Sequence, residues 1–207
     1  MALPDHRVTL AEYLKLQKKS EVPLEYIDGF VVAEFPTDNR AEISNNLTMR
    51  LAPIADSKGC LFRSGNGKVI APDEKTHMVP DIVVSCDRRD ITYREDNAFK
   101  RHESTILYPW LVIEILSPST QKKDKERGFK FLAYESIKEL THYVLIRSQK
   151  REMDVYERLG NGRLATPGAV DRLSFPHFGN FEMSIDEVYK NTIMKNRNLK
   201  VVYGPRF

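Results

Sequence analysis

Apolar and polar positions along this chain follow two periods, and the switches between them outline the elements. Leu10, Tyr13, Leu14 and Leu16 give a helix one apolar side, and Thr9-Leu10-Ala11-Glu12 has the form of a capping box, so a helix should run from Thr9 to about Lys19. Leu24 to Glu34 alternates as a β-hairpin around Asp28-Gly29, a pair suited to the positive φ of a two-residue turn. Ile43, Leu47 and Leu51, with Met49 nearby, predict a second helix from about Asn39 to Asp56. Cys60 to Arg63 and Lys68 to Ile70 read as a strand pair around Ser64-Gly65-Asn66-Gly67, a turn with no phosphate-loop lysine after it. Met78 to Val84 and Trp110 to Leu116 are dense enough in apolar residues to be buried strands. Between them Asp87 to Ser104 is a polar excursion, with a short helix expected near Asn97 to Arg101. Lys123 to Ile137 reads as a helix packed through Phe131, Ala133 and Tyr134. Thr141 to Ile146, Glu152 to Arg158, Arg163 to Ala165 and Val170 to Leu173 read as strands. Ser184 caps a last helix with Ile185, Val188 and Tyr189 turned inward and Asp186 and Glu187 in its first turn.

Composition changes this picture little. The 207 residues are 41% hydrophobic and 29% charged, which suits one globular domain, expected over residues 1–194 with a basic tail over 195–207. A net charge of +3 is a weak argument for a polyanionic partner. Lys122, Lys123, Lys125, Arg127 and Lys130 crowd one short segment, although such a run taken alone reads as a solvated helix face. Cys60 and Cys86 match no zinc or redox spacing, and no disulfide framework is expected. The first residues lack a signal-peptide layout and no apolar run approaches bilayer length, so no membrane association and a cytoplasmic location are expected.

The chemistry starts from two acids placed among apolar residues. Glu114 interrupts the run Trp110-Leu111-Val112-Ile113-Glu114-Ile115-Leu116. A carboxylate there must be paired, protonated or bound to a metal, because an isolated buried charge is costly. Asp81 stands at the entrance of the other buried strand. If the two strands lie side by side, Asp81 and Glu114 can grip one divalent cation, and Lys130 can stand beside it. Each residue has a plainer reading. Asp81 after Pro80 can cap a strand start, Glu114 can join a structural ion pair, and Lys130 can be a surface lysine. Glu25 and Asp28 can be ordinary hairpin residues. The five histidines, His6, His77, His102, His142 and His177, show no ligand spacing. Ser117, Ser119 and Thr120 lack a nucleophile elbow.

Pro80-Asp81, then Glu114-Ile115-Leu116-Ser117-Pro118-Ser119-Thr120, then Lys130 and Tyr134, resemble the Uma-two family of the PD-(D/E)XK nuclease superfamily. The likeness runs from the Thr9 helix to the Val188 region. It implies an α/β (α+β) restriction-endonuclease-like fold, a central mixed β-sheet flanked by helices. It further implies a Mg²⁺- or Mn²⁺-dependent endonuclease that hydrolyses DNA phosphodiester bonds. In that expectation Asp81 and Glu114 hold the metal, Lys130 positions the attacking water, and Glu25 adds a ligand or orients that water. Arg40, Lys122, Lys123, Lys125 and Arg127 meet DNA phosphates, and a homodimer cuts the two strands. Three positions depart from the pattern. The superfamily lysine two residues after the glutamate is Leu116 here, a family histidine at the start of the second helix is Arg40, and an aspartate four residues before Lys130 is Glu126. They keep an alternative open: an inactive nuclease-fold protein that binds nucleic acid or a protein partner.

Overall fold

A computed structural model describes residues 3–33, 37–91, 105–117, 128–166 and 168–193. Local chemistry sets the first elements. Thr9 and Glu12 close the capping box of α1, Leu10–Lys19. β1 (Leu24–Ile27) and β2 (Phe30–Ala33) join through Asp28 and Gly29, whose φ values of 50° and 82° are those that a tight hairpin needs. α2 is Asp38–Ser57 and carries Ile43, Leu47, Leu51 and Ala55 on its buried side.

Next come β3 (Leu61–Ser64), β4 (Lys68–Ile70), β5 (His77–Met78), β6 (Ile82–Ser85), β7 (Thr105–Ile106) and β8 (Leu111–Leu116). A helix over Phe129–Glu135 precedes β9 (His142–Arg147) and β10 (Met153–Arg158). β11 (Leu164–Ala165), β12 (Ala169–Val170), β13 (Arg172–Phe175) and β14 (Phe181–Ser184) lead to the one-turn helix Ile185–Val188, closed by a capping box between Ser184 and Glu187.

These strands form a larger sheet in the order β11-β10-β9-β8-β6-β3, with β12 beside β10. A smaller sheet runs β2-β1-β5-β4-β7, and β13 pairs with β14. The larger sheet is mixed: β8 runs parallel to β9 and antiparallel to β6. Alternation along β8 sends Leu111, Ile113 and Ile115 into the core under α2. It sends Val112 and Leu116 to the opposite face, with Phe131, Tyr134 and Tyr143. Mixed sheets with few helices make this an α+β architecture.

Five expectations are corrected. The strand expected over Met78 to Val84 is two, β5 in the smaller sheet and β6 in the larger. The helix expected over Lys123 to Ile137 starts at Phe129, behind an extended Gly128, and ends at Glu135. β3 and β4 do not pair with each other: β3 pairs with β6, and β4 pairs with β5 and β7. The turn between them passes the chain from one sheet to the other. Gly65 donates its N–H to the Asp81 carbonyl at 2.8 Å, and a Cβ at Gly67 would lie 2.6 Å from side-chain atoms of Arg63 and Val83, so the crossing is too tight for a side chain. The strand expected over Val170 to Leu173 is two, β12 and β13, which belong to different sheets. Cys60 and Cys86 form a disulfide. The ladder register Leu61↔Ser85 puts them opposite each other one step beyond it, a proximity set by strand pairing and invisible in a spacing of 26 residues. The expected helix near Asn97 to Arg101 and the tail from Lys195 lie outside the described residues. Among the described residues no helix is long and apolar enough to cross a membrane.

Candidate active site

β6 and β8 pair with Ile82 opposite Ile113, so one step further Asp81 falls opposite Glu114. Such cross-strand neighbours have Cβ atoms about 5 Å apart. Alternation along β8 turns Glu114 toward the Phe129–Glu135 helix, away from α2. Glu25 reaches the same place from β1 of the smaller sheet. Glu25, Asp81 and Glu114 are 4%, 7% and 2% exposed. Carboxylates this deep require compensation, and two helices supply it.

Arg40, in the first turn of α2, forks onto Asp81. Its Nε donates to Oδ1 at 2.6 Å and its Nη2 to Oδ2 at 3.1 Å. The Ile115 amide donates to the same Oδ2 at 2.7 Å. The start of α2 is itself tied down: Asn39 donates to the carbonyls of Ser148 and Ile193 and accepts from the Ile193 amide. Burial pushes the Asp81 carboxyl above its ordinary range, against the opposing pull of Arg40, the Ile115 amide and Lys130.

Lys130 comes from the Phe129–Glu135 helix and is itself buried. Its ammonium lies 3.0 Å from Glu25 Oε1 and 2.9 Å from Glu114 Oε1, so it bridges carboxylates from two sheets. One turn later Tyr134 donates its hydroxyl to Glu114 Oε1 at 2.7 Å. Lys130 and Tyr134 are four residues apart, the spacing that puts two side chains on one helical face. Burial, and then the Glu114 charge, hold the Tyr134 hydroxyl well above its usual pKa, so it stays a donor. Glu25 Oε1 also accepts the Val79 amide at 2.7 Å.

The structure therefore brings together Asp81, Glu114, Lys130, Glu25 and Arg40. Asp28 stays in the hairpin turn and pairs with Arg7. Lys122, Lys123, Lys125, Arg127 and Glu126 lie outside the described residues. The departure at Leu116 has a packing reason: that side chain is 5% exposed in the core beside Val112 and Phe131, where an ammonium would have no place. Sequence reasoning gave Tyr134 no role at Glu114, although its spacing from Lys130 held the signal. The amides of Ile115 and Val79 carry no signal in a sequence, since they act through backbone position.

Three carboxylates and two cations carry a formal charge of −1 in water-poor surroundings. Among the described residues no three acidic, histidine or cysteine side chains converge as a ready-made metal cage. The hard oxygens of Asp81 and Glu114 on adjoining strands nevertheless suit Mg²⁺, which commonly takes one or two carboxylates, waters and a substrate phosphate.

The profile of the Uma2 family, described as "Putative restriction endonuclease", matches residues 10–186. The chain is 30% identical over 190 residues to "Uncharacterized protein slr1290" of Synechocystis sp., covering 90% of this chain and 94% of that one. Its fold is similar to the crystal structure of "a putative nuclease belonging to DUF820" from Anabaena variabilis. The TM-score is 0.67 at 20% identity, with 88% of this chain and 97% of the other covered. With most of its length matched by the family profile, the chain belongs to the Uma2 family, and its α+β sheets share the restriction-endonuclease-like fold of that putative nuclease.

Proposed function

We propose that this protein is a Mg²⁺- or Mn²⁺-dependent endonuclease that hydrolyses DNA phosphodiester bonds. The observation that carries the reading is the placing of Asp81 opposite Glu114 at the end of a buried ladder, with Lys130 between Glu114 and Glu25. Asp81 and Glu114 would hold the ion, which when bound supplies a water of lowered pKa and offsets charge on the phosphoryl oxygens. Lys130 already occupies a bridging position between two carboxylates, from which its N–H groups can orient a water. Glu25 fixes that ammonium and offers a further acceptor for the water. Arg40, once shared between Asp81 and substrate, presents a planar fork suited to a phosphate. Lys122, Lys123, Lys125 and Arg127 would meet DNA phosphates, which gives affinity without sequence information. Two copies related by a twofold axis would let both strands of a duplex be cut.

One observation favours the second reading, a nuclease-fold protein that binds without cutting. Both oxygens of Asp81 accept hydrogen bonds from Arg40, and one also accepts from Ile115. An entering cation must loosen that clamp. Thermal melting with added Mn²⁺ separates the readings. A ligand at 100 times its Kd stabilises the native state by about 2.7 kcal/mol, or about 5 to 10 °C for a chain of this size. The nuclease reading expects a rise of that order, abolished in Asp81→Asn. Equal melting of both proteins with and without Mn²⁺ supports the binding protein.

A further inference from the structure

Lys68, on β4, is a third buried cation beside Arg40 and Lys130, and it lies outside the carboxylate cluster. It is 7% exposed. Its Nζ donates to Gln17 Oε1 at 3.1 Å and lies 5.5 Å from the centre of the Tyr13 ring. No carboxylate among the described residues pairs with it, in contrast to Arg40 and Lys130. Among the described residues one of its three donors is used. Burial lowers its pKa below the ordinary lysine value. A buried ammonium without a counter-charge is costly to keep.

This lysine lines a cavity of about 230 Å³ between the end of α1 and the smaller sheet, walled also by Gln17, Ser20, Asn66 and Val79. The cavity adjoins the catalytic cluster. In the ladder Val69 faces Met78, so Lys68 falls opposite Val79, whose amide is held by Glu25. Val79 stands two residues before Asp81. Asn66 follows Gly65, whose amide is bonded to the Asp81 carbonyl. Glu21, the one acid in the lining, is solvent-exposed at the rim and makes no ion pair with Lys68.

We infer that Lys68 forms the floor of a second phosphate subsite, taking a phosphodiester group of the bound strand that flanks the one cut. The inference rests on the nuclease reading. An ammonium with unused donors in a cavity this size suits a phosphate oxygen, and Gln17, Ser20 and Asn66 supply polar side chains around it. A neutral ligand would leave the charge uncompensated.

The test is DNA binding in EDTA, where no cutting occurs, read by fluorescence anisotropy of a labelled duplex over a series of salt concentrations. Each phosphate neutralised adds about 0.9 to the slope of log K against log salt. Lys68→Gln should lower the slope by about that amount and Lys68→Arg should restore it. Gln17→Glu keeps the lysine and its packing but sets a carboxylate beside the ammonium; it should give the same loss, and it decides the matter if Lys68→Gln fails to fold. Wild-type slope in a folded Lys68→Gln, or in Gln17→Glu, overturns the subsite and leaves the nuclease reading standing. Absence of DNA binding by the wild type at every salt concentration overturns both.

Discussion

Replacing Arg40 with methionine removes the guanidinium that Asp81 is built against and leaves a stem of similar reach. Arg40 is 8% exposed and Asp81 7%, and two hydrogen bonds of 2.6 and 3.1 Å join them. In the variant Asp81 retains the Ile115 amide alone among these donors. Breaking a buried pair from one side costs about 3 to 5 kcal/mol, because the remaining charge is stranded. At about 2 to 4 °C per kcal/mol the melting temperature should fall by about 6 to 20 °C. Two further readouts show that the deficit comes from the stranded carboxylate. Asp81 has a raised pKa in the folded protein, so its contribution to stability is full below its unfolded value of 3.8 and is lost as pH rises through the folded value. The deficit of Arg40→Met should therefore shrink as the solution is made acidic. Adding Asp81→Asn to the variant removes the stranded charge and should recover part of the loss, an interaction visible in a double-mutant cycle. Mn²⁺ should also raise melting more in Arg40→Met than in the wild type, since the arginine no longer competes for Asp81. Circular dichroism melts in EDTA and in Mn²⁺ measure all of these. A melting temperature within about 2 °C of wild type, or a deficit that Asp81→Asn leaves unchanged, would refute the argument.

Tyr134→Phe deletes a buried donor to a carboxylate at 2.7 Å and should cost about 1.5 to 3 kcal/mol in urea denaturation; an unchanged midpoint would show that Glu114 does not need it. Reducing the Cys60–Cys86 bridge opens a loop of 26 residues, for which chain entropy predicts a loss of about 3 to 4 kcal/mol. Melting with and without reductant measures it, and Cys60→Ser should behave like the reduced protein in both solutions. Glu187 is held down to about 2 by the Ser184 amide and hydroxyl and by Arg50. Its contribution is present above its unfolded value of 4.5 and is lost as pH falls through about 2. Stability profiles of wild type and Glu187→Gln should converge across that interval, and a constant offset would refute the assignment.

What the sequence disclosed was local or was a violation of local pattern. The Thr9 capping box, the Asp28-Gly29 turn and the Ile43-Leu47-Leu51 stripe each lie within one or a few turns of chain, and each is where its residues indicate. Glu114 was legible because an acid within an apolar strand contradicts its surroundings. Pairings set by register between distant strands were not legible. The disulfide, the passage from β3 to β4 between sheets and the burial of Lys68 all depend on which strands meet. Arg40 was expected to face phosphate, but its grip on Asp81 follows from where the first turn of α2 is anchored by Asn39. Leu116 counted against catalysis in the sequence, and the structure gives it a packing role while Lys130 arrives at Glu114 from the helix instead.

The central claim is tested most directly by incubating supercoiled plasmid with the purified protein in Mg²⁺, Mn²⁺ or EDTA, beside Glu114→Ala. Nicked and linear products that form with wild type in the presence of metal, and not in EDTA or with the variant, are the predicted result. Equal cutting by Glu114→Ala, or intact plasmid under every condition while the protein still retains DNA on a gel, would contradict it.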